Sequence, residues 1–160
     1  MKKFAVIVAL LLVVAALAGC GAGTKEFTCK NLTMTVPGYM MDASGQADFA
    51  SYTFTLDSGK IAIFGLEETY ADYPVLEEYD LKGYTDLCIE GNGLDCLAIE
   101  RSNADYYYFE YNANNAGTVY KYMTGCFQSE AGFWIVQVCA TASDYDQEAF
   151  LGYLDSVKFS

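Results

Sequence analysis

The feature that most constrains this chain is a pair of turn signals set inside one long aromatic and β-branched stretch. Between Tyr106 and Ala140 the run of strand-forming residues is interrupted at Asn114-Asn115 and again at Ser129-Glu130-Ala131-Gly132. Such interruptions predict three consecutive antiparallel strands, at 106–111, 118–128 and 133–140. With Asn114-Asn115 as the tip, Tyr107 faces Tyr122 and Phe109 faces Tyr120. Through the next turn Cys126 falls opposite Ile135 and Cys139 opposite Tyr122. Met123, Phe127, Trp134, Val136 and Val138 then gather on the other side of the sheet. Both faces are rich in large apolar groups, which favours a sheet covered on both sides over one with a solvated back.

The rest of the chain reads around that sheet. Residues 27–36 alternate as a strand ended by Pro37-Gly38, and 52–56 and 61–67 flank the hairpin signal Asp57-Ser58-Gly59-Lys60. Pro74 opens a short helix over 74–81. Strands follow near 86–89 and 94–100. Ser143 caps a last helix, with Asp144, Asp146 and Glu148 at the positive end of its dipole and an apolar stripe of Ala149, Phe150, Tyr153, Leu154 and Val157. The fold class is therefore α+β, a central antiparallel sheet with helices packed on it, in one domain spanning 26–160.

The first twenty residues are an address. Lys2 and Lys3 precede the apolar stretch 4–17, and Leu17-Ala18-Gly19-Cys20 closes it with small residues before a cysteine. This pattern resembles a bacterial lipoprotein signal with its lipobox. The resemblance implies cleavage after residue 19, diacylglyceryl transfer to the Cys20 thiol, and a linker over 20–25. The apolar stretch is short for a span of about 20 residues. Each buried acyl methylene contributes about 0.8 kcal/mol, so two or more chains would hold the protein stably on the extracytoplasmic face of the cell membrane.

Processing also sharpens the charge. The precursor has 160 residues and a net charge of −12; removing nineteen residues, two of them lysines, leaves 141 residues with a side-chain charge of −14. Gripping phosphates takes clustered Lys and Arg, so a nucleic-acid partner is excluded. Without histidine there is no His-based triad or imidazole metal site. With Cys20 lipidated, Cys29, Cys88, Cys96, Cys126 and Cys139 remain. The candidate disulfide is Cys88 with Cys96, set opposite each other if Gly91-Asn92-Gly93 is a hairpin tip. Cys29 could instead meet Cys126 or Cys139, and buried free thiols explain all five equally well.

Two segments bring a known family into view. Leu32-Thr33-Met34-Thr35-Val36-Pro37-Gly38-Tyr39 resembles the opening strand-Pro-Gly-aromatic of the PsbP-like proteins, and residues 150–159 resemble their final helix leading into a Ser-hydrophobic-Lys-Phe strand. That family includes a photosystem extrinsic subunit, a Ran-binding eukaryotic relative and many bacterial lipoproteins. The resemblance implies a sheet between helices, a binding or assembly role and no catalytic machinery. This chain departs from the pattern in having Tyr39 where Trp is frequent, in a short helical segment after the first strand, and in its extra cysteines.

Three residue groups are candidates for function. Tyr106 and Tyr108, in the densest aromatic run, could stack on a glycan or anchor a protein partner if their side of the strand is exposed; sheet packing is the competing use. Asp42, Asp48, Asp57, Asp95, Asp144 and Asp146 lie at loops and helix starts, where capping competes with calcium binding, and no EF-hand spacing is present. The pairs Glu67-Glu68 and Glu77-Glu78 match no paired-carboxylate motif. The reading is a non-enzymatic, lipid-anchored binding or scaffolding module of the cell envelope, with no metal or cofactor and an envelope protein or glycan as partner. Its alternative is a solute- or glycan-capturing lipoprotein serving a transporter.

Overall fold

A computed structural model describes residues 23–46, 49, 51–102 and 104–160. The lipobox residues Leu17, Ala18, Gly19 and Cys20, and the acid Asp48, lie outside the described residues. Among the described residues there are ten strands: β1 (Thr24–Cys29), β2 (Leu32–Pro37), β3 (Met41–Asp42), β4 (Phe54–Asp57), β5 (Ile61–Thr69), β6 (Ile99–Glu100), β7 (Tyr106–Asn115), β8 (Thr118–Ser129), β9 (Gly132–Thr141) and β10 (Lys158–Phe159). Two α-helices, α1 (Leu81–Gly91) and α2 (Gln147–Asp155), and a 3-10 turn at Pro74–Glu78 complete the set. The strands form a three-stranded sheet in the order β1-β2-β10 and a seven-stranded sheet in the order β3-β4-β5-β9-β8-β7-β6, with every pairing antiparallel.

Alternation along the long strands divides the apolar side chains between the two faces of the large sheet. One face carries Phe54, Leu56, Ile63, Met123, Phe127, Trp134, Val136 and Val138, which share a core cluster with Leu32, Met34 and Val36 of β2 and Phe150 and Leu154 of α2. On the other face, Phe109, Cys126, Phe133 and Ile135 meet Leu76 of the 3-10 turn and Tyr84 and Ile89 of α1. Next to them, Ala62, Phe64, Tyr122 and Cys139 meet Ala43 and Phe49. Fully burying one such side chain contributes about 1.5–3 kcal/mol. The small sheet, α2 and α1 are therefore held on by apolar area.

The β8–β9 register agrees with the sequence reading: Cys126 pairs with Ile135 and Tyr122 with Cys139. The β7–β8 hairpin turns later than expected, with Asn115 opposite Thr118, so Tyr107 faces Cys126, Phe109 faces Thr124 and Tyr111 faces Tyr122. The turn takes positive φ at Ala116 and Gly117, and Gly117 N–H donates to Asn114 Oδ1 at 3.0 Å. Moving the tip shifts each partner by an even number of residues, which leaves every side chain on its expected face.

Several elements differ from the sequence reading. The strand expected over 27–36 is a hairpin, reversed at Lys30-Asn31 with Cys29 opposite Leu32 and Lys30 at a φ of 51°. β1 begins at Thr24, inside the expected linker 20–25. The helix expected over 74–81 is a 3-10 turn, and the expected strand at 86–89 lies within α1. Asp80 caps α1 by accepting from Gly83 N–H at 2.7 Å, and Tyr84, Thr85 and Ile89 are buried on one side of it. The Gly91-Asn92-Gly93 segment is the end of that helix rather than a hairpin tip. Gly93 takes a φ of 62°, its N–H donates to Glu90 O at 3.0 Å, and Leu94 N–H donates to Ile89 O at 3.1 Å, which is a Schellman cap. Of the strand expected over 94–100, Ile99–Glu100 alone pairs, as β6. The cap of α2 is Asp146, whose carboxylate accepts from Ala149 N–H at 3.1 Å, while the Ser143 hydroxyl lies 2.9 Å from that of Thr141.

Candidate functional site

The end of the β7–β8 ribbon and the segment leading into α2 enclose a shallow cavity of about 250 Å³ lined by Glu110, Tyr111, Asn112, Lys121, Tyr122 and Tyr145. Asn112 pairs with Lys121 across the ribbon, and Glu110 lies two residues along the same strand, so period-two alternation brings all three to one face. The Lys121 ammonium lies 5.0 Å from the Tyr145 ring centroid, a cation–π contact. Gln147 of α2 donates to Glu110 Oε1 at 2.7 Å. The Tyr145 hydroxyl is buried near the Glu110 carboxylate without meeting hydrogen-bond geometry, and burial, then that carboxylate, pushes its pKa up. On the opposite face, Tyr111 and Tyr122 stack at 4.8 Å and 5°, and Gln137 donates to Tyr111 Oη at 2.8 Å and to Thr124 Oγ1 at 3.0 Å. The cavity offers a cation, a carboxylate, an amide and an aromatic edge, a set suited to holding a small polar molecule. Sequence alone does not single out these residues, because Asn112 and Lys121 become neighbours only once the strands pair in this register.

Tyr106 and Tyr108 are not the exposed pair that the sequence allowed. Tyr106 is 3% exposed, stacks on Phe127 at 4.8 Å and donates its hydroxyl to Asp155 Oδ1 at 2.7 Å. Tyr108 is half-buried against the same core cluster. The reason is tertiary: α2 and β10 lie on that face. Large apolar side chains are exposed elsewhere, with Tyr39 just before β3 and Met41 on it, Tyr73 and Val75 at the 3-10 turn, and Leu97 and Ile99 at β6, where Leu97 reaches 82% exposure.

Arg101 and Asp155 tie the β6–β7 edge to the end of α2 through two hydrogen bonds, Nε to Oδ1 at 2.9 Å and Nη2 to Oδ2 at 2.6 Å. The Arg101 guanidinium, with help from the Tyr106 hydroxyl, holds the Asp155 carboxyl below its usual range. A carboxyl depressed in the folded state stabilises the protein above its unfolded value near pH 4, and the contribution fades as pH falls through the folded value. Asp155→Asn is thus expected to lower Tm at pH 7 and to draw level with the parent as acid titrates the carboxyl. The effect should be at most about 1 kcal/mol for a pair this solvated. Thermal melts from pH 7 to pH 2 check it, and a Tm difference that does not shrink on acidification refutes it.

Four of the loop acids are engaged locally. Asp42 accepts from Ser44 N–H at 2.9 Å, Asp57 from Gly59 N–H at 2.7 Å and Asp144 from Thr141 Oγ1 at 3.0 Å, while Asp146 caps α2. Among the described residues no group of three or more His, Cys, Asp or Glu side chains could hold a metal ion. Glu67 and Glu68 point to opposite faces of β5, the first meeting Lys30 and the second accepting from Tyr84 Oη at 2.7 Å. Cys88 lies on α1 and Cys96 in the segment after it, so the hairpin that would set them opposite each other is absent, and both are free thiols.

Two solved structures share the architecture. A crystal structure from Bacteroides thetaiotaomicron VPI-5482 superposes with a TM-score of 0.54 at 8% identity, covering 85% of this chain; the chain spans about half of that structure's length, 48%. The solution structure of the cyanobacterial PsbP, CyanoP, from Synechocystis sp. PCC 6803 superposes with a TM-score of 0.51 at 10% identity, covering 92% of this chain and 99% of that one. At these identities the likeness speaks for the fold alone, and it supports a PsbP-like one. No family model matches the chain, and no curated protein matches it in sequence.

Proposed function

We propose that the protein is a non-enzymatic binding or scaffolding module held on the extracytoplasmic face of the cell membrane by acyl chains on Cys20. The observation that carries this reading is the run Leu17-Ala18-Gly19-Cys20 directly after a basic and apolar leader. The domain's position along the chain supports it. Gly38 N–H donates to Gly23 O at 2.7 Å, so a residue paired within the domain lies three residues past Cys20, a reach of at most about 10 Å. A domain tethered that closely presents the Tyr39 and Met41 end toward the headgroups and its far edges toward partners. The finer architecture belongs to the same reading: a PsbP-like sandwich in which α1 lies on one side of the seven-stranded sheet and α2 with the small sheet on the other.

Metabolic labelling with a palmitate analogue tests the anchor. The parent should be labelled and found in the membrane fraction, and Cys20→Ala should lose essentially all of the label; undiminished labelling of the mutant sinks the proposal. Solute or glycan capture for a transporter is the competing reading, and the polar cavity at Glu110, Lys121 and Tyr145 is what favours it. Binding on a glycan or solute panel that Tyr145→Ala abolishes, with anchoring intact, would replace scaffolding by capture.

A further inference from the structure

Of the five cysteines in the described residues, two meet across the α1–sheet interface. Cys126 on β8 is wholly buried in the cluster beneath α1, and Cys88, half-buried on α1, belongs to the same cluster. The Cys88 thiol and the Thr85 side chain act directly on the Cys126 thiol, and both cysteines border the Tyr84 phenol. Tyr84 itself stacks flat on Phe133 at 4.0 Å, which fixes the helix over this part of the sheet. Cys29 packs against the first cluster, with its sulfur 4.0 Å from Thr53 O, and Cys139 belongs to the third cluster. Cys96, in the segment after α1, also packs against the second cluster, but Asp95 is the group that acts on its thiol, whereas Cys88 and Thr85 act on that of Cys126.

We propose that Cys88 and Cys126 are a disulfide-forming pair that staples α1 to β8, and that the structure with free thiols is its reduced form. The proposal rests on the export reading for its oxidising surroundings. The co-reactant is a disulfide donor, RSSR. The Cys88 thiolate attacks one donor sulfur, the donor S–S bond breaks, and one RSH leaves. The Cys126 thiolate then attacks Cys88 Sγ, the mixed disulfide breaks, and a second RSH leaves. Two protein thiols are oxidised to one disulfide, and the donor, taking their two electrons and two protons, becomes two thiols. Cys88 must act first, because a donor cannot reach a side chain as buried as Cys126. The adjoining Cys88 thiol and burial hold the Cys126 thiol well above its ordinary range, so the second step should quicken as pH rises.

The test uses the full chain, produced in an exporting bacterium, alkylated at harvest and digested without reduction. A second portion is purified in detergent, reduced, and incubated with oxidised glutathione at pH 8. The expected product in both is a peptide pair joined through Cys88 and Cys126. It should form equally in Cys96→Ser and raise Tm by on the order of 10 °C, reversibly on reduction. Alkylation of both cysteines after prolonged glutathione treatment, or a Cys88–Cys96 bridge in their place, overturns the proposal. A bridge formed with glutathione but absent from the harvested protein supports the pair and counts against the export reading.

Discussion

Trp134→Ala is expected to lower stability by roughly 3–5 kcal/mol, with a fall in Tm on the order of 10–15 °C. Trp134 is the chain's single tryptophan and is 0% exposed on the face of β9 that meets the small sheet. Its ring lies 6.2 Å from that of Phe54, in the same cluster as Met34, Val36 and Phe150. Its indole N–H donates at 3.2 Å to Asn31 Oδ1, at the tip of the β1–β2 hairpin. Truncation thus opens a cavity between the two sheets and leaves the Asn31 acceptor unpaired. Trp134→Phe separates the two effects, since it keeps much of the volume and loses the donor; roughly 1–2 kcal/mol is expected. Urea denaturation followed by circular dichroism measures both variants. A loss under about 1 kcal/mol for the alanine variant would mean the small sheet is not packed on Trp134.

Gly65→Ala is expected to destabilise by about 2–3 kcal/mol through overpacking, although it adds a single methyl. Gly65 on β5 pairs with Phe54 on β4, and the Phe54 ring lies across it, so a Cβ built at Gly65 would sit 1.9 Å from Phe54 Cε1. The ring cannot easily swing aside. It is 1% exposed, with Phe27 at 4.8 Å and Trp134 at 6.2 Å between centroids. Adding Phe54→Leu should relieve the clash, so the double mutant should lose less than the two single changes together. Gly152→Ala is the control. A Cβ there meets nothing within 4 Å, and placing Ala inside α2 should stabilise by about 0.5–1 kcal/mol. Equal effects at Gly65 and Gly152 would dismiss the close ring–backbone approach.

The elements read correctly from sequence are those with redundant local signals. At the β8–β9 turn the residues on either side alternate strongly, so a register shifted by one would move Trp134, Val136 and Val138 to the wrong face. The β4–β5 hairpin is similar, because Asp57 and Gly59 satisfy the same turn from both sides. The α1 segment resembles a strand and hairpin in sequence because a Gly-Asn-Gly segment supplies positive φ equally to a tight turn and to a helix C-cap. Helical spacing was present in Leu81, Tyr84 and Cys88, but it competed with a short β-compatible run. What favoured the helix was the apolar surface of Phe109, Cys126, Phe133 and Ile135, formed by strands twenty to fifty residues further along and needing cover.

The candidate sites divide along the same line. The proposed lipidation of Cys20 rests on a linear string, since an export signal is recognised before any folding. It is the part of the proposed function that owes nothing to tertiary contacts. The use of Tyr106 and Tyr108, the partner of Cys88 and the polar cavity at Glu110 and Lys121 were not legible, since each depends on which distant segment arrives on a given face. By itself the sequence determined the antiparallel order of β7, β8 and β9 and the two-faced apolar pattern, because period-two alternation and turn chemistry act over a few neighbouring residues. Tertiary structure alone decided which side chains are covered and which thiols meet. Those outcomes follow from how helices and strands far apart in the chain pack to remove apolar area from water.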